Sequence, residues 1–165
     1  MLERYTAFCA ALARLAMTVA GAGLVAMTAI ISWQVFARYV LNNSPSWTEQ
    51  AALLTLIWFI LLAGAAGVHQ NFHLRLSLLE DSLPAPQARL LKTGGHLLVA
   101  LFGLAMTISG AGLTAATWTH VLPALGISRA ATYIPVVLAG ALITLFAIDR
   151  AIGAYTGRKE VSEWN

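Results

Sequence analysis

Four stretches without Asp, Glu, Lys or Arg divide the chain, running from Leu15 to Ala37, Gln50 to Val68, Thr93 to Thr119 and Ala130 to Ile148. A helix rises about 1.5 Å per residue, so a hydrocarbon core about 30 Å thick needs roughly 20 mostly apolar residues. Each stretch is near or above that length. The pattern predicts an all-α integral membrane protein with four transmembrane helices over residues 15–37, 49–69, 93–119 and 130–150, in a single domain covering 1–165. The first run follows Arg4 and Arg14 as a signal peptide would, but its 23 uncharged residues exceed the roughly 7–15 of a signal h-region, so a retained anchor is expected.

The segments between the spans have patterns of their own. Pro45 disfavours a helical conformation just before it, and Ser46-x-x-Glu49 is a capping-box pattern that starts the second helix. Glu49 has two readings. In one it bonds back to the Ser46 backbone N–H and complements the helix dipole. In the other it pairs with Arg38, which lies at the same end of the adjacent helix, where a lone charge is costly. In the second loop, Phe72, Leu76, Leu79 and Leu83 share a helical face, which predicts a short interfacial helix that ends before Pro84 and Pro86. That helix would be a surface turn or a docking ridge for a second membrane subunit.

Composition changes the picture only by exclusion. With 59% hydrophobic and 10% charged residues among 165, a soluble domain could not cover itself with polar surface. The net charge of +3 is spread over helix flanks, which suits membrane orientation rather than a nucleic-acid-binding face. Lys and Arg fall unevenly. Arg4, Arg14, Arg75, Arg89, Lys92, Arg150, Arg158 and Lys159 lie on one side of the spans, against Arg38 and Arg129 on the other, so the positive-inside rule predicts that both termini and the second loop are cytoplasmic. Trp33, Phe36, Tyr39 and Trp47, with Trp118 and Tyr133, then form aromatic belts at the outer ends. Trp58 lies mid-span instead, where packing bulk outweighs a ligand role. Small residues four apart, Ala63 with Gly67 and Gly110 with Thr114, offer close-packing faces.

Candidate chemistry is sparse. The single Cys9 has no internal disulfide partner, and His69, His73 and His96 lie at a similar depth without the Cys or carboxylate spacing of a metal cage. A b-type haem between His69 and His96 is the one cofactor arrangement their placement allows, and it lacks a second ligand pair; no cofactor is expected. Hydroxyls, acids and histidines are scattered over both membrane faces, so no nucleophile, base and orienting group come together, and an enzyme is not expected. The span interiors also lack the ionisable residues that mark a transport pathway. A membrane subunit that works through contact with other chains fits these observations best. A cytochrome b-type anchor subunit or a small autonomous four-helix exporter are the alternatives.

The motif from Arg38-Tyr39 through Asn42, Trp47 and Glu49 to Trp58 and Gly64-Ala65-Ala66, followed by His73, resembles the small membrane subunit of tripartite ATP-independent periplasmic (TRAP) transporters, the DctQ-like family. Leu125-Gly126-Ile127-Ser128 with Tyr133 and Pro135 is similar to that family's entry into the fourth helix. Two positions depart from it. Gln50 stands where a second acid commonly follows Glu49, and Ser77 where an acid often follows the His segment. The resemblance implies a bacterial inner-membrane subunit that binds a large permease subunit, itself moving an organic acid by a sodium-driven elevator motion after delivery by a periplasmic binding protein. It also implies an interface role for Arg38, Tyr39, Trp47, Glu49, Trp58, Gly64, Gly67, His73, Tyr133 and Pro135.

Overall fold

A computed structural model describes residues 2–43, 45–69 and 85–156. Four long helices dominate it: α1 (Leu2–Tyr39), α2 (Trp47–His69), α3 (Ala85–Ala116) and α4 (Ile134–Thr156). All four have stretches long and apolar enough to cross a membrane, Arg4–Tyr39, Trp47–His69, Leu90–Ala116 and Arg129–Tyr155. The helix of the first span begins at Leu2, well before Leu15, and at about 1.5 Å per residue its 38 residues extend about 57 Å. That exceeds a hydrocarbon core, so α1 either projects beyond it or tilts strongly. The interfacial helix expected in the second loop lies outside the described residues.

The helices form a row. α1 packs on α2, α2 on α4, and α4 on α3, whereas α3 makes no comparable seam with α1 or α2. Burial follows this order: 28% of an 18-residue apolar stretch is buried in the second and fourth spans, against 11% in the first and 17% in the third. The two inner helices therefore have neighbours on both sides, while α1 and α3 each leave a broad apolar face uncovered. Leu15, Val25 and Val35 are exposed on α1, as are Leu98, Leu101 and Phe102 on α3.

Small residues set the helix spacing. The buried positions in the first half of α1 (Cys9, Ala13, Ala16 and Ala20) continue at steps of three and four to Gly23, and a methyl added at Gly23 would lie 2.9 Å from Phe59 Cβ of α2. Between α3 and α4 the contact is tighter. Gly103-x-x-x-Thr107 faces Gly140-x-x-x-Thr144, so that a Cβ on Gly103 would be 2.8 Å from the Gly140 carbonyl and one on Gly140 would be 2.7 Å from the Gly103 carbonyl. The two backbones touch there, the device by which membrane helices gain dispersion contact where no hydrophobic effect drives them together. Gly110 extends the seam against Val136 and Val137; its companion Thr114 lies one turn further on.

Threonines in the spans do not create a polar path. Thr18, Thr28, Thr55, Thr107, Thr114 and Thr144 each donate their hydroxyl to the carbonyl four residues back, at 2.7–2.9 Å. Their polarity is thus absorbed largely within their own helix, and Thr144 also reaches the Ala100 carbonyl of α3 at 3.4 Å.

Candidate functional site

At one end of the row, where α2 and α4 begin, a hairpin is fastened across the helices. β1 (Val121–Leu122) pairs antiparallel with β2 (Ile127–Ser128), with Val121 opposite Ser128 and Leu122 opposite Ile127. The turn needs Gly126, whose φ of +66° lies in the left-handed region where a Cβ is penalised. Ser128 then caps a short 3-10 turn, Arg129–Thr132, by accepting the Ala130 N–H at 3.2 Å, while its own hydroxyl donates to the Trp118 carbonyl at 2.6 Å. The Leu125-Gly126-Ile127-Ser128 motif therefore has a physical basis in one backbone conformation and one cap. Tyr133 closes the 3-10 turn through its N–H to the Ala130 carbonyl, and Pro135 is buried in the first turn of α4, where a missing N–H costs nothing.

Two side chains of α2 hold the hairpin and the 3-10 turn that follows it. Gln50 Oε1 accepts the Ala124 N–H at 3.3 Å, and Trp58 Nε1–H donates to the Ala131 carbonyl at 3.0 Å. Trp58 is packing bulk with a specific polar contact, since a buried indole N–H needs an acceptor and the 3-10 turn leaves Ala131 carbonyl available. Gln50 accepts a backbone N–H as a carboxylate would.

The loop between α1 and α2 is arranged differently. Arg38 and Tyr39 in the last turn of α1, Trp47 at the start of α2, Glu49 and Ser46 are all exposed, and no ion pair joins Arg38 to Glu49. Ser46 directly precedes the first residue of α2, as an N-cap would. The hydrogen bonds described at this helix start belong to Thr48, whose N–H and hydroxyl reach the Pro45 carbonyl at 3.4 and 2.8 Å, and whose side chain is fully buried. Gly64 is exposed with open space around a would-be Cβ, Gly67 is half-buried, and His73 lies outside the described residues.

The opposite end holds a cluster of buried hydrophobic residues. Phe146 of α4 is fully buried in a cluster with Cys9 and Ala13 of α1, Val68 of α2 and Ala100 of α3, to which all four helices contribute. The His69 ring stands edge-on to Phe146, with centroids 5.2 Å apart, and an Arg150 guanidinium N–H donates to the His69 carbonyl at the C-terminus of α2. A cation there complements the negative end of the helix dipole. Tyr5 donates its hydroxyl to the Leu145 carbonyl at 3.1 Å, and Asp149 is only 7% exposed, within electrostatic reach of Tyr5 and Cys9. Sequence reasoning missed Asp149, Phe146, Gln50 and the Gly103–Gly140 contact. Asp149 had a visible signal as the acid that ends an otherwise apolar run, and the glycines as Gly-x-x-x-Thr on two helices; Phe146 had none.

Comparison with known proteins identifies this arrangement. A 61-residue segment is 28% identical to the sialic acid TRAP transporter small permease protein SiaQ of Vibrio cholerae, covering 37% of this chain and 35% of that one. The chain thus spans about a third of the length of that relative. A longer match, 26% identical over 132 residues, covers 78% of this chain and 80% of a Haemophilus influenzae protein whose assigned name is TRAP transporter small permease protein. Residues 27–157, from the second half of α1 to the end of α4, match the family described as tripartite ATP-independent periplasmic transporters, DctQ component, and the chain belongs to that family of multi-pass TRAP transporter small permease subunits.

Proposed function

We propose that this chain supports and anchors the large transport subunit of a sodium-coupled, binding-protein-dependent TRAP transporter for organic acids. It does so in a bacterial inner membrane with both termini cytoplasmic, and has no catalytic role. The observation that supports this most is the single row of helices. Its two end helices leave apolar faces open, its span threonines bond mainly within their own helices, and the middle of each span carries no charge. A conduction path needs polar or ionisable groups across the bilayer, whereas open apolar faces with small residues suit lateral packing on another membrane protein. The eight-to-two distribution of Lys and Arg supports the orientation. The Vibrio cholerae relative is named for sialic acid, which is itself a carboxylic acid and fits the substrate class. The hairpin fastened by Gln50 and Trp58 would give a periplasmic binding protein a fixed surface to approach.

Uptake measured in proteoliposomes tests the proposal. Large subunit, this chain and binding protein together should accumulate the organic acid with an inward sodium gradient, and omission of this chain should abolish most uptake. Undiminished uptake without it would overturn the supporting role.

Contact with the large subunit has its own test at Gly64. A Leu at this open position should leave the stability of the isolated chain unchanged or raise it by up to about 1 kcal/mol through helix preference. The same Gly64→Leu change should reduce co-purification of the large subunit if this face is covered by it. Unchanged recovery would place the face against lipid.

A further inference from the structure

Where α3 ends and α4 begins, a shallow groove of about 720 Å³ lies between them, in the size range of small-molecule sites. Its walls are Ala111, Ala115, Trp118, Ile134, Val137 and Leu138 with Thr114. Thr114 adds little polarity, because its hydroxyl donates to the Gly110 carbonyl at 2.7 Å. The groove is therefore a hydrocarbon surface on the flank of the molecule, not a polar cleft.

Its mouth is different. His120 follows the groove-lining Thr119, and Arg129 begins the 3-10 turn that leads to Ile134. The Arg129 N–H donates to the His120 carbonyl at 2.7 Å, which extends the hairpin register by one pair and sets the two residues opposite each other. Both are exposed. Among the described residues little negative charge is near to balance them: Glu3 and Asp149 belong to the other end of the spans, and only Glu49 is at this end. Trp118 is 63% exposed at the groove's edge, with the apolar ring and polar N–H that suit the level where acyl chains meet headgroups.

An apolar groove with a cationic, N–H-donating mouth matches an amphiphile with an anionic head and a hydrocarbon tail, and the membrane around the protein supplies one. The geometry points to a site for an anionic phospholipid of the adjoining leaflet, with one acyl chain along the groove and the headgroup phosphate at Arg129 and His120. Arg129 provides a planar fork of donors that matches phosphate oxygens, and His120 adds an imidazole N–H. The site is at the end of α4 that the hairpin and Trp58 also hold, so the lipid would brace the same joint.

Quenching of Trp118 fluorescence by brominated acyl chains tests this. The full chain is placed in phosphatidylcholine nanodiscs with a small fraction of brominated phosphatidylglycerol or, separately, brominated phosphatidylcholine, and the Trp118 component is obtained by difference from Trp118→Phe. Brominated phosphatidylglycerol should quench Trp118 at least threefold more than its share of the lipid predicts, and brominated phosphatidylcholine only in proportion to its share. Arg129→Gln with His120→Gln should remove the enrichment, Arg129→Lys should retain part of it, and Ala115→Phe, which fills the groove, should abolish it with the helical circular dichroism unchanged. Inorganic phosphate at millimolar concentration should not displace the lipid, because it has no tail. Proportional quenching by both lipids, or enrichment that survives the double Gln variant or Ala115→Phe, would overturn the site. Displacement by free phosphate would reduce it to an anion site without a tail, and loss of the enrichment on adding the large subunit would show that protein, not lipid, fills the groove.

Discussion

Gly140→Ala should separate α3 from α4. The added methyl would sit 2.7 Å from the Gly103 carbonyl and 2.8 Å from the Thr107 backbone N, and neither atom can give way without moving a helix. Overpacking by one methyl in a close-packed interior costs about 1–3 kcal/mol, and contact with backbone on both sides puts this site at the upper end of that range. Gly103→Ala should behave similarly, since its methyl would meet the Gly140 carbonyl at 2.8 Å. Gly112 provides the control. It is on the same helix with nothing within 4 Å of a would-be Cβ, so Gly112→Ala should be neutral or stabilising by up to about 1 kcal/mol through helix preference alone. Denaturant titration of the purified protein in mild detergent measures all three. Equal midpoints for Gly140→Ala and Gly112→Ala would show that the helices are not held by this contact. Separation of α3 from α4 should also loosen the hairpin between them and lower co-purification of the large subunit.

The four spans were legible because an apolar run of sufficient length has few alternatives in a chain this poor in charge. Their order in the row was not. All faces of a membrane helix are apolar, so amphipathicity does not report which face meets protein, and only the small residues do. Of the pairs singled out from sequence, Gly110 does face α4, yet the closest contact is one heptad earlier at Gly103, where Thr107 and Thr144 complete a pattern visible on both helices. Chemistry in the loops was easier to read. Gly126 and Ser128 stood out as a short motif, and they supply the left-handed turn and the cap that launch the 3-10 turn before α4. Trp58 was recognised as out of place in its span but not as a donor to Ala131, because its acceptor is 73 residues away and only the folded hairpin brings it near. Arg38 and Glu49 share a depth, which is all that sequence could establish, and depth alone does not turn two exposed side chains toward each other.

Phe146→Ala should produce the second large loss, at the opposite end of the row. Phe146 is fully buried in a cluster that residues from α1, α2 and α3 share, so its removal leaves a cavity that four helices would have to collapse around together. Large-to-small changes of this kind cost about 3–5 kcal/mol in packed interiors. The edge-on contact with the His69 ring is lost as well, beside the Arg150 guanidinium that caps the last carbonyl of α2. Phe146→Leu keeps most of the volume and should lose much less. Phe102, 65% exposed on α3, supplies the comparison: its ring faces outward, and Phe102→Ala should shift the unfolding midpoint of the isolated chain little. The two ends of the row should then respond differently. Loss of Phe146 should loosen α1, whose described partners are α2 along its length and, at its start, this cluster and the Leu145 carbonyl bound by Tyr5, so cysteine cross-linking between α1 and α4 near Cys9 and Ala147 should fall, while the Trp58 contact with the 3-10 turn persists. If Phe146→Ala and Phe102→Ala gave equal midpoints and equal cross-linking, the cluster would not be the joint that gathers the four helices.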